Sequence, residues 1–462
     1  MLYTYNITNN LLFRGCIMNK FLKPNSLLYD SFFIWTKESP GKIALIDYAK
    51  GQQLMYRQLK QEVEVVSLRL LEMGIRPGDR IACVCTFSKE YVVLMLASFR
   101  LGAIFCPLDS RAHASVLADQ LRRIRPAVLI YTPQKGRGTL GEIIYQLSFI
   151  RYVVHIAVND DLSGATSMPF SSVFRASKIG MAYLRQRFQG KLRKIHRELH
   201  KWNPALLIFN ERDEGVLLSH ENLLNQVAFT RETSDFQPEN RTLVNLAEND
   251  VTAIVHGLLT ALLSGGTAVM CTPAQPEQSL HAIAHHFVTH TLMEVEGYER
   301  LWKAAEKHPV SFESVRFALF LGKADWAFMM KLKQFAPRGG TGLCMLETTG
   351  LCTFIPLQTA IKYPSCLLGN AIAPYGSMSI RHAMDAHSHA GEELPLGFVG
   401  EVCLESASIF LGYVDNETAT SKVLSKEGLF YTGLKGLFIM KEGQKWLLES
   451  ETSPARVVST TH

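Results

Sequence analysis

The sequence predicts an α/β protein: two doubly wound subdomains with mainly parallel sheets, followed by a small β-rich subdomain. Three observations lead there. From residue 43 to about residue 335, short apolar runs alternate with amphipathic stretches at intervals typical of βαβ units. That alternation breaks once, between Arg175 and Lys201, where cations are interleaved with Phe188, Leu192, Ile195 and Leu199. Past Pro364 the pattern changes to short strands and turns, such as Gly397-Phe398-Val399-Gly400-Glu401-Val402-Cys403-Leu404. At 462 residues the chain is long enough for two or three compact units. The expected division is an N-terminal extension over residues 1–30 and a first α/β subdomain over 31–200, ending in a basic linker at about 175–201. A second α/β subdomain over 202–365 and the β-rich unit over 366–462 complete it.

Taken in order, residues 42–48 form a short apolar strand, and Leu59, Val63, Val66, Leu70 and Leu71 share one face of a helix from Tyr56 that stops at Gly74. The turn Ile75–Arg80 leads into a strand over 81–85. Helix 89–101, strand 103–107, helix 115–124 and strand 127–131 follow. The cations Arg185, Arg187, Lys191, Arg193, Lys194, Arg197 and Lys201 then surround a narrow apolar stripe. Two readings stay open for it: a solvated linker helix, or a helix lying on an anionic membrane surface. After residue 219 alternation resumes with helix 221–231, strand 242–246, helices 278–286 and 297–307, a buried strand over 314–322 and helix 325–335. The stretch Val251–Met270 carries no formal charge and has the length of a membrane span. Its glycines, threonines and His256 instead favour a buried helix followed by a buried strand.

Composition excludes some classes. Hydrophobic residues make up 47% and charged residues 19%, as in an ordinary globular protein, and the net charge of +6 is too mild to indicate a nucleic-acid partner. Nine cysteines form no CxxC pair, which fits a reducing, cytoplasmic setting. The patch Leu11-Leu12-Phe13 is too short for a secretion signal, and Met18 is an alternative start.

The chain is organised around Pro204–Leu224. An apolar run ending at Phe209 enters the charged turn Asn210-Glu211-Arg212-Asp213-Glu214. Gly215–Leu218 then leads to Ser219, a helix N-cap. The flanks, with Val216 and Ser219-His220-Glu221-Asn222-Leu223, resemble the adenylate-forming superfamily, where this turn is a longer loop of hydroxyls, glycines and a lysine that cradles phosphate. A phosphate cradle works through free backbone N–H groups, hydroxyls and a cation. Three carboxylates within five residues present the wrong sign, repelling a nearby anion by about 1 kcal/mol even in water-like dielectric, and Arg212 offsets only part. As written the turn is a solvated surface turn.

The resemblance runs from Ile43 to about Leu448. Tyr56–Leu59, Gly74–Ile81 and Leu101–Ala103 look like early landmarks of acyl-CoA synthetases, luciferases and peptide-synthetase adenylation domains. Ser234–Arg241, Leu262–Gly265 and Ser311–Arg316 are similar to the acyl-[acyl-carrier-protein] synthetase half of the 2-acylglycerophosphoethanolamine acyltransferases. The resemblance implies ATP and Mg²⁺ as cofactors, and an acyl chain, acyl carrier protein or CoA as partner. Its adenine-binding turn corresponds to Gly322-Lys323-Ala324. Its Tyr-Gly-x-Thr-Glu motif corresponds to Leu343-Cys344-Met345-Leu346-Glu347, followed by Thr348-Thr349-Gly350. Glu347 is then the vestigial catalytic and Mg²⁺-binding carboxylate, with an ordinary loop acid as the alternative. The ribose-binding Thr-Gly-Asp reads Thr432-Gly433-Leu434, and leucine accepts no hydrogen bond. The acyl tunnel would run beside Val255, His256 and Leu259, a stretch that serves equally as a plain core helix. Leu448-Glu449-Ser450-Glu451 stands in place of the family's hinge, and the lysine-bearing C-terminal domain is expected to be absent. The implied function is ATP-dependent activation of a fatty acid, impaired or lost here, leaving a pseudoenzyme with a binding role. The alternatives are an active ligase completed by a partner, or a non-enzymatic protein peripheral to the inner face of a membrane through Arg185–Lys201.

Overall fold

The structure, a computed structural model, describes residues 26–133, 140–156, 167–272, 275–363, 367–369, 375–441 and 443–450. The patch Leu11–Phe13, the start at Met18 and nearly all of the expected extension over 1–30 lie outside the described residues, as does everything beyond residue 450.

Two eight-stranded sheets carry the fold, and both are mainly parallel. In the first, the order is Gly412–Tyr413, Gly215–Ser219, Pro204–Phe209, Ile104–Pro107, Arg80–Val84, Val128–Tyr131, Tyr152–His155, Met168–Pro169. In the second, it is Ile355–Pro356, Arg338–Thr341, Phe317–Leu321, His290–Glu294, Arg241–Val244, Thr267–Met270, Ile43–Asp47, Gln52–Met55. Successive strand residues serve opposite faces. Ile81 and Cys83 enter the large core between the sheets, whereas Ala82 and Val84 join Leu117, Leu121 and Leu129 on the far side. Helices Tyr56–Glu72 and Lys89–Leu101 fill the layer between the sheets together with the charge-free stretch. A third sheet, all antiparallel, runs Leu367–Gly369, Gln444–Glu449, Phe430–Lys441, Gly400–Glu405, Ser377–Arg381.

The sheets do not divide along the chain at residue 201. The strand Ile43–Asp47, expected in the first unit, pairs in parallel with Thr267–Met270 in the second sheet, Leu45 opposite Ala268. The hairpin 204–219, expected to open the second unit, extends the first sheet beside Ile104–Pro107. The physical reason is pairing. A strand buried on both faces needs a neighbour along each edge, and these runs satisfy free edges that their sequence neighbours cannot reach.

Local expectations survive well. The stretch Val251–Met270 is a wide-turn helix Ala253–Leu259, a short α-helical turn Thr260–Leu263 and the strand Thr267–Met270, all buried. Among the described residues no helix is long and apolar enough to cross a membrane. The basic segment is one 21-residue helix, Lys178–Glu198, capped by Ser177 and burying only Leu184 and Ile195. The seven cysteines among the described residues are free thiols.

Ser219 caps helix His220–Ser234: its Oγ accepts from Asn222 N at 3.1 Å while Asn222 Oδ1 accepts from Ser219 N at 2.8 Å. The Asn222 amide also donates to the carbonyls of Ala407 and Ile409, both at 2.8 Å, which ties the helix to the segment entering Gly412–Tyr413. Asn222→Ala therefore strands the buried Ile409 carbonyl, the part-buried Ala407 carbonyl and a cap. It is expected to lower unfolding free energy by at least ~3 kcal/mol in urea titration, against ~1 kcal/mol for Ser219→Ala.

Candidate functional site

The site is built where the first sheet's hairpin turn meets the short segment after Thr341. Asn210 closes the turn. Its side-chain oxygen accepts from Arg212 N at 3.0 Å and Glu214 N at 2.9 Å, its own N–H donates to Glu214 O at 3.0 Å, and its carbonyl accepts from Asp213 N at 2.8 Å. Four of the turn's five backbone amides are thus used inside the turn, an arrangement typical of asparagine at the start of a loop. Asp213 adopts φ +59°, and Gln120 Nε2 binds its carboxylate at 2.8 Å. Arg123 grips both the carboxylate and the carbonyl of Asp213, so helix Ala114–Ile124 holds the turn shut. At the turn's exit Gly215 has no room for a Cβ, which would lie 2.7 Å from Val414.

Glu347 reaches this turn. Its Oε1 accepts from Asn210 Nδ2 at 3.2 Å and from the Tyr413 hydroxyl at 2.8 Å, and its carbonyl accepts from Phe410 N at 2.9 Å. Burial, reinforced by the Glu347 charge, pushes the Tyr413 phenol well above its ordinary range, so Tyr413 stays a donor. Thr349 sits in the left-handed region at φ +61° and is wholly buried, its hydroxyl donating to Ser408 O at 2.6 Å.

The other expected site residues are distributed differently. Gly322, at φ +97°, and Lys323 are exposed at the end of strand Phe317–Leu321, and no hydrogen bond or ion pair among the described residues joins the Gly322–Ala324 turn to Glu347. Thr432 donates to Val402 O at 2.8 Å, and Gly433 N donates to Glu401 at 2.9 Å, both within the third sheet. Leu434 is buried with Ile380, Val402, Phe438 and Leu447, and Leu343 packs against the same cluster. Leu343 and Leu434 therefore belong to one apolar contact surface. Val255 and Leu259 are fully buried in the core.

His256 is a latch. Its Nε2 accepts from Leu351 N at 3.0 Å, which leaves Nδ1–H to donate to Thr230 Oγ1 at 2.6 Å, and Thr230 in turn donates to Gln226 O at 2.8 Å. Gly350 passes so close that a Cβ would lie 2.2 Å from His256 Nε2. Between His256, His290, Thr242 and Phe317 is a cavity of about 20 Å³, room for a single water.

Sequence reasoning missed Asn210 as the closing residue and Tyr413 as the clamp on Glu347. An asparagine opening a short loop was the signal for the first. For the second, only the Leu411-Gly412-Tyr413 landmark pointed to that region. Against a bound nucleotide, the donors a triphosphate needs are already engaged, carboxylates line their surroundings, and the one retained carboxylate has its Oε1 engaged by Asn210 and Tyr413. The residues present do not fit the group.

Residues 32–414 match the AMP-binding enzyme family. The chain belongs to that family. It is 25% identical over 415 residues to a probable CoA ligase, CCL5, of Humulus lupulus, covering 87% of this chain and 71% of the relative. Among solved structures, a protein from Rhodopseudomonas palustris CGA009 described as a putative long-chain-fatty-acid CoA ligase superposes with a TM-score of 0.75 at 22% identity, covering 92% of this chain and 99% of that one. ATP-bound MatB from Rhodopseudomonas palustris gives 0.67 at 18% identity, covering 92% and 78%. AMP-binding enzymes use ATP and Mg²⁺. The α/β architecture with its antiparallel third sheet is that of the family's large N-terminal portion.

Burial depresses His256 to about 3 and His220 and His290 to about 4. The unfolded chain takes up these protons below about pH 6.5 while the folded chain does not. Stability is accordingly full above pH 6.5 and falls as pH drops toward 4, by ~1.4 kcal/mol per pH unit for each histidine. Urea midpoints measured from pH 7 to pH 4.5 should decline with a slope near three protons, and His256→Gln should reduce that slope by one.

Proposed function

We propose that this chain is an acyl-CoA-ligase-like member of the AMP-binding family in which ATP-dependent activation of a fatty acid to an acyl-adenylate has been lost. The scaffold is kept as a binding protein for an acyl chain or for an acyl carrier protein or CoA. The observation that carries this reading is the closed Asn210–Glu214 turn, whose amides are spent on its own asparagine. Adenylation needs preorganised donors on the transferring phosphate, and losing one such donor costs about a hundredfold or more. Here the loop, the adenine-stacking ring and the ribose carboxylate are all replaced, the latter two by Leu343 and Leu434. Glu347 is then a structural acid that joins the turn to Tyr413 rather than a Mg²⁺ ligand. Free thiols throughout the described residues support a reducing, cytoplasmic setting.

A second reading has one observation in its favour. Glu347 still lies beside the turn, 3.2 Å from Asn210, where an active ligase completed by a partner's lysine-bearing domain would need it.

Purified protein is expected to show no carboxylate-dependent exchange of pyrophosphate into ATP with fatty or amino acids, and no calorimetric heat with ATP and Mg²⁺ at concentrations on the order of 1 mM. Exchange above background with any acid overturns the proposal. Heat with ATP, together with exchange that appears only when a separate lysine-bearing domain is added, establishes the second reading.

A further inference from the structure

The helix Lys178–Glu198 lies on the surface of the first subdomain along helices Tyr56–Glu72 and Lys89–Leu101, with Leu184 and Ile195 buried and Phe188 and Leu192 packed against the core. At 21 residues it is about 31 Å long, and most of its circumference meets solvent. Ile179, Tyr183, Gln186, Gly190, Arg193 and Arg197 recur at helical spacing along its outward line, and all six are solvent-facing. Ile179 is 84% exposed and Tyr183 50%, while Trp202, just beyond the helix, is 54% exposed and stacked on His200.

Charge singles out the same surface. Residues 175–201 hold nine cations and one carboxylate, Glu198, for a net +8, whereas the whole chain carries +6. The remainder of the molecule is therefore net −2, so the net positive charge of the chain falls in this segment. Arg185 is held by Glu64 at 2.8 Å, Lys201 by Glu221 at 2.5 Å, and Lys194 lies 3.8 Å from Glu198, but Lys191, Arg193 and Arg197 have no acidic partner among the described residues.

We propose that the Lys178–Glu198 helix and Trp202 dock this protein onto an anionic lipid bilayer. The cations Lys191, Arg193 and Arg197 lie among the headgroups, and Ile179, Tyr183 and Trp202 enter the interface. A partner recognised by charge alone, such as a nucleic acid, gives no role to three exposed apolar and aromatic side chains beside the cations. The boundary of a bilayer takes both, because aromatic rings favour the headgroup level and each cation near an anionic surface adds to binding. This inference is independent of whether the chain activates an acid.

Flotation of the full chain with phosphatidylglycerol–phosphatidylcholine vesicles, against phosphatidylcholine alone, tests it. Binding is expected only to the anionic vesicles, to weaken steeply with salt, and to fall roughly a hundredfold in the Lys191→Gln/Arg193→Gln/Arg197→Gln variant. Trp202→Ala should weaken it several-fold while leaving the salt dependence intact. Equal flotation with both vesicle types, flotation of the triple variant like the unsubstituted chain, or flotation unaffected by salt overturns the proposal. So does retention by an RNA or an acidic protein with none on vesicles. Should the triple variant fail to match the parent's thermal melt, the parent's salt titration and Trp202→Ala decide the matter.

Discussion

A backbone amide that donates to one acceptor is withdrawn from every other. In the Asn210–Glu214 turn four of five amides are withdrawn by a single asparagine and its own strand partner, and Gln120 and Arg123 fix the result from outside. The closed turn lets the Pro204–Phe209 and Gly215–Ser219 strands pair tightly, which seats Ser219 at its helix cap and brings Gly412–Tyr413 against the free edge. Tyr413 then meets Glu347. The same few hydrogen bonds complete the first sheet and close the turn.

The surrounding replacements have a common physical sense. A tyrosine and an aspartate facing a nucleotide would leave polar groups needing a ligand, and burying such groups unpaired costs about 1–3 kcal/mol each. Leu343 and Leu434 remove that need by packing with Phe438 and Leu447 in the third sheet's core. The polar atoms of Thr349, Thr432 and His256 are satisfied by backbone groups or by Thr230. Around the turn the polar atoms are paired within the protein, whereas Gln226 Oε1, Thr242 Oγ1 and Asn245 Oδ1 are buried without a partner among the described residues.

Much of the fold was legible because it rests on local rules. Ser219 as a cap, the helix-then-strand division of Val251–Met270 and the long basic helix all follow from periodicity and capping chemistry. The membership of the sheets was not legible, since Ile43–Asp47 and the 204–219 hairpin find partners more than 90 residues away, and nothing in either run names its partner. In the site, the charge of Asn210–Glu214 was readable, but the closure of the turn depends on where Asn210 points and on Arg123 reaching it. The resemblance placed His256 beside an acyl tunnel, and the structure sets it on a small cavity. Only the approach of Leu351 N and Thr230 reveals a latch.

We propose that the inherited frame has no place for a nucleotide. Crystals grown with a non-hydrolysable acyl-adenylate mimic at saturating concentration test it most directly. The expected result is an unchanged Asn210–Glu214 turn and no ordered mimic between Gly322 and Leu434. An ordered mimic there, with the turn opened and its amides on the phosphate analogue, would contradict it.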